Sequence, residues 1–554
     1  MTDDYQLFQC KGCGGQARVE PGDDQFYQKM GVPRPVLCVH CREQRRAALV
    51  NQLHLFRRTC AHTGKQIVSC YPPESRSTVV DQAYWYTDAV ENTSFGRSID
   101  FKRPFFEQFA ELQRVVPRPA LFTDYARDEN SSFTNFAGRN KNCYLIFDSD
   151  ENWDCYYSYS VNSSRNCLDC YRVGEMELCY EAVDCRRCYQ CAYITNSEGC
   201  SESLFLNNCI SCRHCICCSN LRHKEYHIWN EPVSKEKFEH FVSEMRSFTA
   251  LEETKAAFEM FCKKFPQKYL RGFQNENVLG NYLTNCRNAF YSFDCRDGWD
   301  LRYAFQSFLA LKDCMDIDQC GEGELLYECS NLGYSAFNVR FSAMCLNQIA
   351  DLTYCELCFN GCSNLFGCVG LKKKQYCILN QQYAPDEYAS LVSRLIEHMT
   401  RTGEWGSHFP PSCSTVPYNL SVAHQFYPLT RADAVSAGYE WRDSDAEERR
   451  PATGTLLDML EQVPDSITKD ILTCRCCGRS YKVIAQELAA YRTMGLPPPR
   501  ECFHCRHQRR HQRRCPRALW PRCCGKCGES IFAAYAPTSE GLVYCDRCYD
   551  ESCS

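Results

Sequence analysis

Four cysteines at each end of the chain, spaced identically, limit what it can fold into more than any other feature. Cys10, Cys13, Cys38 and Cys41 return as Cys474, Cys477, Cys502 and Cys505, at a constant offset of 464. Tyr27, Met30, Gly31, Pro33 and Pro35 follow as Tyr491, Met494, Gly495, Pro497 and Pro499. A CxxC knuckle sets two thiolates on one tight turn, and two knuckles supply the four soft ligands of tetrahedral zinc. Short segments of this kind bury too little apolar surface to fold alone, and metal binding supplies the missing stability.

The offset continues past the knuckles: Cys60, Ile67, Tyr71, Pro73 and Val79 match Cys524, Ile531, Tyr535, Pro537 and Val543. Cys524, Cys527, Cys545 and Cys548 make a third four-cysteine set. Its N-terminal counterpart reads Cys60, Thr63, Asp81 and Tyr84, one cysteine of four, so that copy is expected to have lost its metal and to persist by packing of Ile67, Tyr71 and Trp85. Three structural zinc ions are therefore expected, with four-thiolate sites that leave no open position for catalysis.

Cys10-Lys-Gly-Cys13, Phe26-Tyr27-Gln-Lys-Met-Gly31 and Cys38-Val-His-Cys41-Arg-Glu-Gln-Arg-Arg46 resemble the family called probable zinc-ribbon domain, as does the C-terminal copy. More widely, Arg103-Pro-Phe-Phe-Glu-Gln-Phe109 and Asn142-Cys-Tyr144 resemble uncharacterised long zinc-ribbon proteins of uncultured bacterial lineages. The resemblance implies zinc and little else.

Between the ribbons the cysteines keep a different beat. Cys143, Cys155, Cys167, Cys179 and Cys191 recur every twelve residues, and Ser203 and Cys215 hold the register. Twelve is no helical period; it suits short strands and turns stacked as a β-solenoid, with Asn142, Asp154 and Asn166 at turns. A second copy follows: Cys218–Asn230 corresponds to Cys368–Asn380, and Phe147-Asp148 and Trp153-Asp154 to Phe293-Asp294 and Trp299-Asp300. Its ladder reads Ala289, Leu301, Asp313, Leu325 and Phe337. Cys209, Cys212, Cys215 and Cys218 form CxxCxxCxxC, the spacing of an iron–sulfur run. Their counterparts by the 150-residue offset, Phe359, Cys362, Leu365 and Cys368, instead favour core packing, where free cysteine acts as a small hydrophobe. Helical stripes after each solenoid (Phe238, Phe241, Val242, Met245, Phe248; then Tyr388, Leu391, Val392, Leu395, Met399) read as caps over exposed strand edges. The segment around Phe105, Phe106, Phe109 and Leu112 reads as a cap on the first solenoid's other end.

The fold expected is thus mainly β with capping helices, tandem β-solenoid-like repeats flanked by zinc ribbons. The segments are a zinc ribbon at 1–50, a degenerate ribbon at 51–100, a capping helix at 101–120 and a solenoid at 121–230. A helical cap at 231–270, a second solenoid at 271–380, a cap at 381–400 and a linker at 401–465 follow. A ribbon with an arginine-rich helix at 466–514 and a last ribbon at 515–554 complete the chain.

The 45 cysteines, with no apolar leader in the N-terminal MTDDYQLFQC, fit a reducing compartment, and cytosol is the expected location. No apolar run is long enough to span a membrane. A net charge of −5 excludes overall basicity, so nucleic-acid contact has to be local. The local candidate is Arg506, Arg509, Arg510, Arg513, Arg514 and Arg517, a density that suits phosphates of RNA, against the alternatives of a solvated helix or salt bridges to the acidic solenoid. Tyr156, Tyr157, Tyr159, Tyr171, Tyr189 and Tyr193 offer a solenoid face for a protein partner, half of them expected inside. Walker, dinucleotide, HExxH and nucleophile-elbow motifs are missing from the sequence, and His223 and His227 beside Cys218 become Lys373 and Cys377 in the second copy. A non-enzymatic scaffold contacting RNA or a ribonucleoprotein is the leading expectation. A purely protein-binding scaffold and an iron–sulfur or redox protein are the alternatives.

Overall fold

The computed structural model describes residues 6–19, 21–299, 301–308, 318–321, 327–329, 352–443 and 449–553. Asp300, and Asp313, Leu325 and Phe337 of the second ladder, lie outside them. The chain forms two compact units, and neither is one stretch of sequence. The first comprises Met1–Ala120, Leu270–Arg442 and Arg517–Leu519; the second comprises Leu121–Tyr269, Asp443–Pro516 and Trp520–Ser554. The N-terminal ribbons therefore share a unit with the second solenoid, and the C-terminal ribbons with the first.

In the second unit, parallel strands pair in twelve-residue register: Tyr159 with Tyr171, Cys191 with Ser203, and Leu204 with Ile216. The coil has a finer period of three. Asn142, Leu145, Asp148, Glu151 and Asp154 all have φ between 51° and 61°, and the series continues at every third residue through Asn166 and Asp169. Each left-handed residue bends the chain, so four three-residue sides make one coil. L residues resist this conformation, Asn and Asp least. Lateral hydrogen bonding holds them there: Asn142 N donates to Glu129 O (2.9 Å), Asp154 N to Lys141 O (3.0 Å) and Asn166 N to Trp153 O (3.0 Å).

The residue after each bend points inward. Cys143, Ile146, Ser149 and Asn152 line one coil, and Cys155, Ser158, Val161 and Ser164 the next, all at most 2% exposed. Stacking makes columns: Asn152 Nδ2 donates to Asn140 Oδ1 one coil back (3.0 Å), which satisfies a buried amide. The period of three also decides the tyrosines. None of the six follows a bend, so all face outward, where strand alternation had half of them inside. Tyr156, Tyr157, Tyr159, Tyr171 and Tyr193 are buried by neighbours such as Phe503, His507 and Phe205, and Tyr189 is exposed.

The second solenoid, in the first unit, has the same parallel pairing, Leu352 with Leu365 and Ser363 with Gln375. One register steps by thirteen and the other by twelve, and the extra residue falls at Asn360-Gly361, where Gly361 has φ of 84°. This moves the equivalence by one: Phe359 bridges Lys372 as Ile210 bridges Arg222, so the counterpart of Cys209 is Cys358, not Phe359.

Each solenoid's last strand edge is closed by an antiparallel return, Glu231–Pro232 on Glu225–Ile228 and Gln381–Gln382 on Gln375–Ile378. The helices expected there as caps lie against the flanks instead. Phe238, in the Lys235–Glu244 helix, meets Tyr226 edge-on at 5.8 Å, and Tyr388, in the Pro385–Thr402 helix, meets Tyr376 at 5.7 Å. The expected stripe through Phe248 breaks after Met245, because Ser247 caps a new helix, Phe248–Cys262. The Phe105–Val115 helix packs on the second solenoid rather than the first, Phe105 lying 5.4 Å from Phe366 and 5.8 Å from Tyr354. Among the described residues no helix is long and apolar enough to cross a membrane.

Candidate metal centres and the arginine helix

Each ribbon builds its site from one hairpin and one helix start. Gln6–Gln9 pairs antiparallel with Gln16–Val19, and the knuckle between them turns at Gly14, whose φ of 70° glycine adopts without strain. The other knuckle opens a helix: Cys38 is the residue before Val39–Ala47, and Cys41 sits in its first turn. Cys474 and Cys477, with Gly478, repeat this against Cys502 and the Phe503–Gln512 helix. Cys524 and Cys527, with Gly528, do so against Cys545 and the Asp546–Asp550 helix.

In all three sets the four Sγ atoms lie within 4.8 Å of one another and could hold a metal ion. Backbone N–H groups aim at the first thiol of each set: Cys38 N and Gly12 N donate to Cys10 Sγ at 3.1 and 3.3 Å, and Cys545 N donates to Cys524 Sγ at 3.4 Å. Against the upward push of burial, such donors hold the Cys474 thiol down at about 7 and the Cys524 thiol at about 6. These donors favour the thiolate a metal requires.

The degenerate ribbon keeps the frame. Its hairpin, Phe56–Thr59 with Gln66–Ser69, is intact, and Cys60 Sγ still accepts from Thr63 N (3.4 Å) and Asp81 N (3.2 Å). Where ligands stand in the other copies, Tyr84 stacks on His62 at 3.7 Å. Ile67 is half-buried, Tyr71 and Trp85 are buried, and Trp85 stacks on Phe359 at 5.3 Å.

Cys209, Cys212, Cys215 and Cys218 occupy four successive sides of a coil. Among the described residues no three central cysteines bring their Sγ atoms within 4.8 Å of one another. They donate weakly to carbonyls instead, Cys215 to Arg213 O at 3.3 Å and Cys218 to Ile216 O at 3.3 Å. This arrangement is that of packed core thiols.

The arginines proposed for RNA contact are engaged within the fold, which corrects the case for an open cationic surface. Five follow one another along the Phe503–Gln512 helix and just beyond it. Arg506 Nε meets Asp169 at 3.0 Å and its guanidinium lies over Tyr157 at 4.9 Å. Arg510 Nη1 reaches Asp169 at 2.8 Å and Glu181 at 2.9 Å. Arg509 pairs with Glu181 (2.9 Å) and Glu501, Arg513 with Glu181 (3.4 Å) and Arg514 with Asp184 (2.7 Å). Arg506, Arg510, Asp169 and Glu181 are each at most 2% exposed. Burial opposes ionisation of Glu181, but Arg509, Arg510 and Arg513 hold its carboxyl well below the usual range. Asp169 and Glu181 are stacked one coil apart, about 4.8 Å, and arginines four apart on a helix rise about 6 Å, so the two charge rows run nearly in step. The sixth, Arg517, belongs to the first unit, where it pairs with Glu43 (2.6 Å) and Asp294 (3.1 Å) over the Phe426 ring.

The docking recurs in the first unit. Arg45, the counterpart of Arg509, pairs with Glu328 at 2.8 Å, and Tyr27 meets Tyr327 edge-on at 5.5 Å. Tyr491 meets Tyr180 in the same way at 5.3 Å. Sequence reading missed these carboxylates, although the dipeptide Tyr180-Glu181 recurs as Tyr327-Glu328 in the second solenoid. Compared with protein-family models and with curated sequences, the chain matches none. The class it defines is therefore a structural one: a mainly β, solenoid-bearing chain with terminal four-cysteine clusters that could hold metal ions.

Proposed function

We propose that the chain is a non-enzymatic, intracellular scaffold in which three structural zinc ions shape ribbons that brace two β-solenoids. The observation that carries this is the spacing of the thiols. Cys13–Cys38, Cys477–Cys502 and Cys527–Cys545 have Sγ separations of 3.8, 3.7 and 3.8 Å. A tetrahedron with zinc–sulfur bonds of about 2.3 Å has an edge of about 3.8 Å. Four thiolates close each site, which suits a structural ion.

The scaffold reading is favoured over RNA contact because the arginines already have carboxylate partners. It gives the solenoids' outer column, where Trp153 and Tyr189 are 39% and 44% exposed, the role of a protein-binding face. Cysteine-to-serine changes at Cys13, Cys477 and Cys527 test it: each should remove one zinc per chain and leave the β-sheet circular dichroism of the solenoids in place. Unchanged zinc content in all three would refute the assignment. Partners of the outer column should survive nuclease treatment and high salt.

A further inference from the structure

The Phe503–Gln512 helix lies between two kinds of restraint. Cys502 precedes it and Cys505 is in its first turn, so the candidate metal site fixes its start. Arg506, Arg509 and Arg510 then dock it on Asp169 and Glu181, with Arg513 and Arg514 continuing to Glu181 and Asp184. Ten residues, the last seven of them all Arg, His or Gln, do not hold a helix in water on their own. Buried ion pairs are poor glue as well, because the desolvation of both partners offsets most of their attraction. Phe503 and His507 add ring contacts to Tyr157, Tyr159 and Tyr171, and docking leans on a helix start that the metal secures.

We propose that metal at Cys474, Cys477, Cys502 and Cys505 gates this helix, and that losing it exposes a cryptic cationic surface which binds the phosphate backbone of single-stranded nucleic acid. The inference rests on the metal reading above. The stacked carboxylates occupy the guanidiniums as a row of phosphates would: Asp169 and Glu181 are successive acidic groups on one column, met by arginines at successive helical turns. While docked, the row is hidden and nucleic acid finds little positive charge. When released, five arginines become available together, and no aromatic readout accompanies them, so binding is to backbone rather than sequence.

The test uses the full chain with fluorescent poly(U) as probe. Cys477→Ser with Cys505→Ser removes this site alone, and zinc content confirms it. The metal-free variant is expected to bind poly(U) at least tenfold more tightly than the loaded protein, to weaken about 100-fold between 50 and 200 mM salt as for about five phosphate contacts, and to be cut by trypsin at Arg506–Arg514. Because such a variant can also misfold, a second one keeps the metal and weakens the dock: Asp169→Asn with Glu181→Gln should raise poly(U) affinity at full zinc content. Replacing the five arginines with glutamine in either background should abolish the gain. Zinc lost with the helix still protected, or loaded and stripped protein binding equally, overturns the gate and leaves the zinc assignment standing. Protein that carries no metal as purified overturns both.

Discussion

Glu181→Gln is the substitution that probes the dock most sharply. It keeps the volume of a side chain that is fully buried and removes one charge. Three arginines feel the change unequally. Arg513 is 21% exposed and water can solvate it, and Arg509 is 27% exposed and retains Glu501. Arg510 is fully buried and keeps one carboxylate, Asp169, which it shares with Arg506, and the Tyr157 carbonyl at 3.2 Å. Removing one partner of a buried pair costs about 3–5 kcal/mol; with Asp169 still in place the lower end, about 3 kcal/mol, is expected. Urea unfolding of the metal-loaded protein, with hydrogen exchange on residues 503–512, measures the loss and places it. A double-mutant cycle with Arg510→Gln should return coupling of about 2 kcal/mol or more. A loss under about 0.5 kcal/mol with unchanged exchange would refute the claim that Arg510 is buried against Glu181 in the docked ribbon.

Three further outcomes follow from the same reasoning. Arg118→Ala in the first unit removes the two bonds of 2.8 and 3.0 Å that pair Glu356, leaves that carboxylate buried with the neutral Gln113 amide, and should lower stability by about 3 kcal/mol in chemical denaturation. Burial, with Arg139 opposing and Glu151 adding to it, lifts the Asp150 carboxyl to about 6. Its folded state then binds the proton more tightly than the unfolded chain. Stability from this group is full below about pH 4, falls by about 3 kcal/mol as pH rises to about 6, and is flat above that. Asp150→Asn should remove its share of the slope from a pH series of unfolding curves, while Asp128, which burial also lifts to about 6, keeps its own. Cys167→Ala, inside the first solenoid, should cost about 1–2 kcal/mol in urea unfolding and leave metal content unchanged, as a packed thiol requires.

The ribbons and the solenoid were legible because metal ligation and stacking demand fixed spacings, and spacing survives in sequence. The twelve-residue cysteine ladder marks one inward column of four. The other three columns mix Ile146, Ser149 and Asn152 with Ser158, Val161 and Ser164, and this chemical variety hid the period of three. The left-handed bends were visible at Asn142, Asp154 and Asn166 but not at Leu145 or Tyr157, where lateral hydrogen bonds impose a conformation the residue does not prefer. The arginine run left phosphate contact, a solvated helix and salt bridges to the solenoid all open, because one sequence shows a charge without its partner. Glu181 lies more than three hundred residues from Arg510, and only the fold joins them. The exchange of partners, N-terminal ribbons with the second solenoid and C-terminal ribbons with the first, was hidden for the same reason: local pattern carries no record of long-range docking.

The central claim is that three four-thiolate zinc sites hold the ribbons in shape, and X-ray absorption at the zinc edge on anaerobically purified protein tests it most directly. About three zinc ions per chain, each with four sulfur neighbours at about 2.3 Å, is the predicted result. Zinc bound through oxygen or nitrogen, or iron in its place, would contradict the account.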